Sequence, residues 1–416
     1  MRETRAAVAG QGRAAFRHAN FRRFLCGRFL AQAAGEMQAV AVGWQIYAIT
    51  HRPLDLGLVG LAQFLPGALL FLIAGQTADR FPRERILQCC FSAFAVVSAM
   101  LAGLSWHGVS AVWPIYAVLL MQGVVRAFTT PAAQALVPLT VPTEDFPNAV
   151  AWASSVFQGA MVLGPAIGGA VYGWTGSPVP VYVAACGCCL AAAALISMVR
   201  IGQAKAPAPR SQRAILEGLR YLWRAKIVLG AVSLDLFAVL LGGAVALLPV
   251  YARDILDVGA MGLGILRGAP SVGAVTMAIV LAHRPMRRRA GTAMLGCVCG
   301  FGLFTVVFAL SRSVVLSIAA LVLVGACDMV SVILRHTLVQ LSTPDEMRGR
   351  VSAVNMVFIS TSNEVGQFES GLTAQWFGTV PAAALGGIGT ILVVTLWAWL
   401  FPELRRVDEL QPTPKA

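Results

Sequence analysis

Arg28, Glu36, Arg126, Asp235, Arg267, Asp328, Arg335, Glu364 and Glu369 each interrupt a stretch that is otherwise apolar. An ionisable group at the centre of a bilayer costs at least about 2.5–3.5 kcal/mol on insertion scales, so such groups usually face a polar interior and act there. Their chemistry is that of a polar path. A carboxylate takes up and releases a proton, and an arginine pairs with it or with an anionic solute. Glu36 leads the carboxylates, because Gln32, Gln38, Trp44 and Gln45 surround it with groups suited to an organic molecule. Asp235, Asp328 and Glu364 are further proton candidates. Structural pairing between helices is the competing reading for each of these charges. Arg28 and Arg335 lie nearer the ends of their runs and read as side chains that snorkel to the interface.

Other chemistries find no support. The nine cysteines all fall inside apolar runs, and Cys186-Gly187-Cys188-Cys189 has neither a neighbouring histidine nor paired CxxC spacing. No metal and no cofactor is expected. HExxH, GxSxG and P-loop patterns are missing and the five histidines are scattered, which argues against an enzyme.

The elements that must position these charges are membrane spans. The chain has 416 residues, 57% of them hydrophobic and 12% charged, whereas a soluble domain carries about 25% charged residues. Twelve apolar runs are each long enough to cross about 30 Å of hydrocarbon: 24–50, 55–78, 86–106, 111–137, 148–173, 179–199, 227–251, 260–282, 291–310, 314–340, 350–376 and 381–401. The net charge of +13 concentrates before the first run and in every second loop, while the opposite loops hold only Arg52, Arg253 and Arg312. Short basic loops stay in the cytoplasm, so both termini are expected there, and the charge reports topology rather than a nucleic-acid partner. The basic, polar opening up to Arg23 precedes an apolar run too long for a signal-peptide core.

The runs come in two sets. Tyr47-Ala48 recurs as Tyr251-Ala252, Gly60 as Gly264 and Pro66 as Pro270, all 204 residues apart. Aligning Pro142 with Pro344 shifts the copies by 202 residues, so that Gly123 meets Gly325 and Arg126 meets Asp328. The reading is then that Arg126 and Asp328 face one another across a central cavity. Internal repeats in an apolar chain are the signature of a secondary transporter. The expected organisation is a cytoplasmic N-terminal segment (1–23), a six-helix half (24–199), a cytoplasmic linker (200–226), a second six-helix half (227–401) and a cytoplasmic tail (402–416). The linker holds one amphipathic stretch. Ile215, Leu216, Leu219, Leu222 and Trp223 share a helical face opposite Arg213, Glu217, Arg220 and Arg224, which reads as a helix lying on the cytoplasmic membrane surface.

The loop after the second run reads Gly75-Gln76-Thr77-Ala78-Asp79-Arg80-Phe81-Pro82-Arg83-Glu84-Arg85, with a degraded copy at 282–289. It resembles the signature loop of the major facilitator superfamily. The resemblance implies a gating loop carried by Gly75, Asp79, Arg80 and Arg83, with Asp79 docking on the cytoplasmic start of span 11, where a helix dipole favours a carboxylate. His283 replaces the aspartate in the second copy. It implies too that spans 1, 4, 7 and 10 line the central cavity. Gly159, Gly164, Pro165, Gly168 and Gly169 in span 5 resemble the antiporter motif of exporters in that superfamily. Small residues let helices approach closely and proline bends them, so span 5 is expected to pack and rock against span 8. In span 4 the arginine usual before Gln-Gly is Leu119, and Arg126 stands further on. Ser342-Thr343-Pro344-Asp345-Glu346-Met347-Arg348-Gly349-Arg350, with Ser362-Asn363-Glu364 and Phe401-Pro402-Glu403-Leu404-Arg405-Arg406, is similar to the transmembrane secretion effector branch, that of the enterobactin exporter.

The reading is therefore an all-α integral membrane protein. Its twelve transmembrane helices form two pseudosymmetric six-helix halves in the bacterial inner membrane. It would export a small organic molecule, siderophore-like, drug or metabolite, against protons by alternating access, as a monomer whose partners are substrate, protons and the lipid bilayer. A proton-coupled nutrient importer is the alternative, and the span-5 motif weighs against it.

Overall fold

The computed structural model describes residues 14–201, 212–284, 286 and 289–407. Its long helices are α1 (Ala19–Thr50), α2 (Pro53–Arg80), α3 (Arg83–Trp106), α4 (Trp113–Leu136), α5 (Phe146–Thr175) and α6 (Val179–Ser197), followed by α7 (Lys226–Leu241), α8 (Gly259–His283), α9 (Ala290–Leu310), α10 (Val314–Ser342), α11 (Asp345–Phe377) and α12 (Thr379–Leu400). Each coincides with one apolar run to within a few residues, except that α7 stops about ten residues before its run does. Among the described residues, ten spans are long and apolar enough to cross a membrane by length and composition. The other two long helices, α1 and α11, carry the most polar and charged side chains.

The chain is all helix and loop among the described residues. In a bilayer every backbone group must be satisfied within its own segment, and helices do so. Exposed Trp106, Trp113, Trp174 and Trp376 stand at helix ends that alternation assigns to one side, and Trp399 at an end on the other. Such tryptophans sit at headgroup level.

The helices form two compact units. One comprises Met1–Gln45 and Leu65–Pro209. Its core joins Phe21, Phe24 and Leu25 of α1 to Leu87 and Phe91 of α3, Leu136 of α4, Ala149 of α5 and Ile196 of α6. Polar ties cross the same unit. Gln38 Nε2 donates to Gln122 Oε1 at 3.1 Å, Ser98 Oγ to Gln38 Oε1 at 2.8 Å, and Tyr182 Oη to Gln45 Oε1 at 2.8 Å.

The other unit comprises Ile46–Phe64 and Arg210–Ala416. It thus takes in the end of α1 and the first part of α2. Gly57 lies against Phe368 of α11, where an added Cβ would stand 3.1 Å from backbone. Tyr47 Oη donates to the Asp254 carboxylate beyond α7. Gly273 of α8 and Gly325 of α10 each let a facing backbone approach so closely that no larger residue fits.

The amphipathic linker helix, Gln212–Arg224, packs on protein. Leu222 is fully buried with Val228 of α7, Val339 of α10 and Val351 and Val354 of α11. Arg350 Nη1 pairs with Glu217 Oε2 at 2.5 Å, and Tyr221 Oη donates to the Ser342 carbonyl at 2.8 Å. Amphipathic patterning shows that a helix has something apolar to cover, and here that includes the second unit's own helices. Trp223 of the predicted apolar face is exposed.

Candidate functional site

Charge placement singles out one group of side chains in the second unit. Asp328, Ser331 and Arg335 stand three and four residues apart on α10, so they share one face of the helix. Asp235 of α7 meets that face. Arg335 Nη1 pairs with Asp235 Oδ2 at 2.6 Å, and both side chains are buried. Arg335 Nη1 also reaches Asn355 Oδ1 of α11 at 3.5 Å. Arg335 therefore turns inward to a carboxylate instead of snorkelling, which corrects the sequence reading.

Asp235 and Asp328 line a small cavity of about 10 Å³ with Ser331, Cys327, Val298 and Phe301. That is room for about one water molecule. Ser331 Oγ and Arg335 Nε are buried with no hydrogen-bond partner. Two carboxylates share a single guanidinium, so one negative charge is left over unless a proton neutralises it. Just beyond, α7 ends at Gly242 and the chain turns through Gly243 before continuing helically to Ile255. A Cβ on Gly243 would lie 2.8 Å from the Gly366 carbonyl of α11. Interrupted helices of this kind mark binding regions in transporters.

The first unit holds a second, separate group along the α1–α5 contact. Gln32 Nε2 donates to Glu36 Oε1 at 3.1 Å. A Cβ on Gly164 would stand 2.6 Å from Glu36 Cβ, and one on Gly168 would stand 2.7 Å from Met37 Cα. Trp44 meets Tyr172 edge-on with centroids 6.3 Å apart, and Arg28 lies 5.9 Å from the Phe157 ring centroid. The leading proton candidate and the glycines of the span-5 motif thus meet one another. Pro165 and Gly169 are buried in α5, while Gly159 faces open space.

The remaining predicted residues fall elsewhere. Gln38 is buried and holds Gln122 and Ser98, so its side chain acts as a tie between helices. Arg126 lies on an exposed part of α4. Glu364 of α11 accepts a bond from Gln367 at 3.4 Å, beside Gly60 of α2. Of the gating loop, Gly75 lies within α2 and Arg80 ends it, and Arg83 opens α3. The Asp79 side chain lies outside the described residues, while the helix start predicted to dock it is the N-terminus of α11 at Asp345. Ser331 and Asn355 escaped the sequence reading. The three- and four-residue spacing from Asp328 to Ser331 and from Ser331 to Arg335 was the available signal for Ser331.

The family profile of the transmembrane secretion effectors matches residues 11–416. The chain belongs to the transmembrane secretion effector family. Similar relatives are the enterobactin exporter EntS of Shigella boydii serotype 4, 26% identical over 410 residues and 95% of each chain, and that of Citrobacter koseri, 25% identical over 412 residues and again 95% of each. Solved structures share the fold at low identity. A peptide transporter POT superposes with a TM-score of 0.74 at 11% identity, covering 94% of this chain and 96% of that one. A bacterial homologue of the lysosomal transporter Spinster gives 0.72 at 13%, covering 95% and 99%. This secretion effector is thus a multi-pass membrane transporter of the major facilitator type, and not an enzyme.

Proposed function

We propose that this secretion effector exports a small organic molecule, siderophore-like in class, from the cytoplasm across the bacterial inner membrane in exchange for protons. The export direction and the siderophore class follow from the relatives named as enterobactin exporters. The observation that carries proton exchange is the Asp235–Arg335–Asp328 group. A buried ion pair holds Asp235 to Arg335, and Asp328 is a second carboxylate lining the same cavity. A proton on Asp328 removes a charge that the membrane interior penalises, and that gives a reason for the protein to change state as the proton enters and leaves. Glu36 is the corresponding carboxylate of the first unit, with Trp44 and Gln32 as organic-facing neighbours. Alternating access, cytoplasmic termini and a monomeric carrier belong to the same reading.

The test is efflux from proteoliposomes under an imposed pH gradient. Asp328→Asn and Glu36→Gln should each lower gradient-driven efflux sharply while leaving downhill exchange in place. Full gradient-driven efflux by both variants would exclude Asp328 and Glu36 as the coupling groups.

A further inference from the structure

The described C-terminal end of the chain folds back onto the start of α9. Leu404 is fully buried with Ala290, Met294 and Leu338. The Gly291 N–H donates to the Val407 carbonyl at 3.1 Å, and any Cβ on Gly291 would strike the Leu404 carbonyl oxygen. That glycine-only approach sets Arg405 and Arg406 beside the first turn of α9. From the other side the chain enters α9 through Arg289, whose φ of 58° is uncommon for a residue with a side chain. Thr292 Oγ1 donates to the Arg289 carbonyl at 3.0 Å.

Arg289, Thr292, Arg405 and Arg406 surround an open pocket of about 460 Å³. Among the described residues its lining is three guanidinium groups and a hydroxyl. Glu403 pairs with Lys226 at 3.7 Å instead, and among the described residues no ion pair falls to the three arginines. No side chain caps α9, so its positive end adds to the same field. Like charges held together by backbone packing repel unless an anion stands among them. The pocket also opens at a particular depth. α12 ends at Leu400 with Trp399 exposed beside it, and an exposed tryptophan at a helix end marks the headgroup level.

We propose that this pocket binds the phosphate of an anionic lipid headgroup from the cytoplasmic leaflet. Arginine forks match phosphate geometry, and basic pockets between transmembrane helices on the cytoplasmic side suit acidic headgroups. The leaflet rests on the topology proposed above. The binding does not, because a nanodisc exposes both faces, and it does not depend on proton exchange either.

The experiment places the full-length protein in nanodiscs of phosphatidylcholine, with or without phosphatidylglycerol, and measures retained lipid by native mass spectrometry. Wild type should retain phosphatidylglycerol in preference. Arg289→Gln with Arg405→Gln and Arg406→Gln should lower that preference by at least about tenfold, since a basic residue near an anionic surface contributes about fivefold. Arg220→Gln, an exposed arginine of the linker helix, should leave it unchanged. Arg405→Lys with Arg406→Lys keeps the charge and should retain most of the preference, which separates loss of charge from loss of fold. An unchanged preference in the neutral triple variant would overturn the site. Protection against heat by inorganic phosphate alone, with no preference between the two lipids, would overturn the lipid as its source.

Discussion

Arg335 sits about two turns before the end of α10 with 2% of its surface exposed, so its charge must be answered from inside the protein. Asp235 answers it. Removing one partner of a buried pair leaves a bare charge and costs about 3–5 kcal/mol, while replacing both by apolar residues is often neutral. Arg335→Leu should therefore lower the melting temperature strongly, and Asp235→Leu added to it should restore most of the loss. Equal destabilisation by the single and double variants would mean that the pair contributes packing rather than charge. Sequence alone located both residues but not their partnership. Depth along an apolar run says how far a charge lies from water, not which neighbouring helix it faces. Asp235 and Arg335 belong to runs a hundred residues apart, and only the packing of α7 on α10 brings them within reach. Asn355 was less legible still, since a neutral amide in a long helix carries no penalty that singles it out.

Between elements, the α1–α5 contact makes the sharpest forecast. Gly164 and Gly168 meet α1 at distances that leave no room for a methyl group, whereas Gly159 has nothing within 4 Å. Overpacking a tight contact typically costs about 1–3 kcal/mol. Gly164→Val and Gly168→Val should each reduce thermal stability and transport, while Gly159→Ala should be tolerated in both. Loss with Gly159→Ala equal to that with Gly164→Val would show that the motif matters for something other than close packing. The linker helix gives a second contrast. Gly218 lies 2.9 Å, as an added Cβ, from the Arg350 carbonyl, and Glu217–Arg350 is a partly exposed pair. Exposed pairs contribute about 0–1 kcal/mol. Glu217→Ala should then barely move the melting temperature, and Gly218→Leu should lower it clearly. The hydrophobic face of that helix was evident from spacing. What covers it was not, because bilayer and protein present the same apolar partner to a periodic stripe.

At the scale of the molecule, twelve apolar runs became twelve long helices among the described residues, with ends shifted by a few residues in all but α7. Hydrocarbon thickness fixes span length before any tertiary contact forms, so this part of the fold was the most legible. The break in α7 at Gly242–Gly243 was not, since the apolar run continues through it. Reporter fusions at residue 107 and residue 215 should place the first outside and the second inside the cell. The same side for both would defeat the twelve-span topology.

The sequence repeats and the packing units divide the chain at different places, because Ile46–Phe64 comes from the first repeat and packs with the second. Gly57 and Gly371 approach backbone to backbone, with an added Cβ on Gly371 only 2.8 Å from Gly57 Cα, and Tyr47 is tied to Asp254. Covalent continuity is then not what keeps the two repeats together. Two separately synthesised fragments, 1–205 and 206–416, should find one another through this hairpin and co-purify on a tag carried by either. Gly57→Leu with Tyr47→Phe should abolish that reassembly while leaving the same substitutions survivable in the uncut chain.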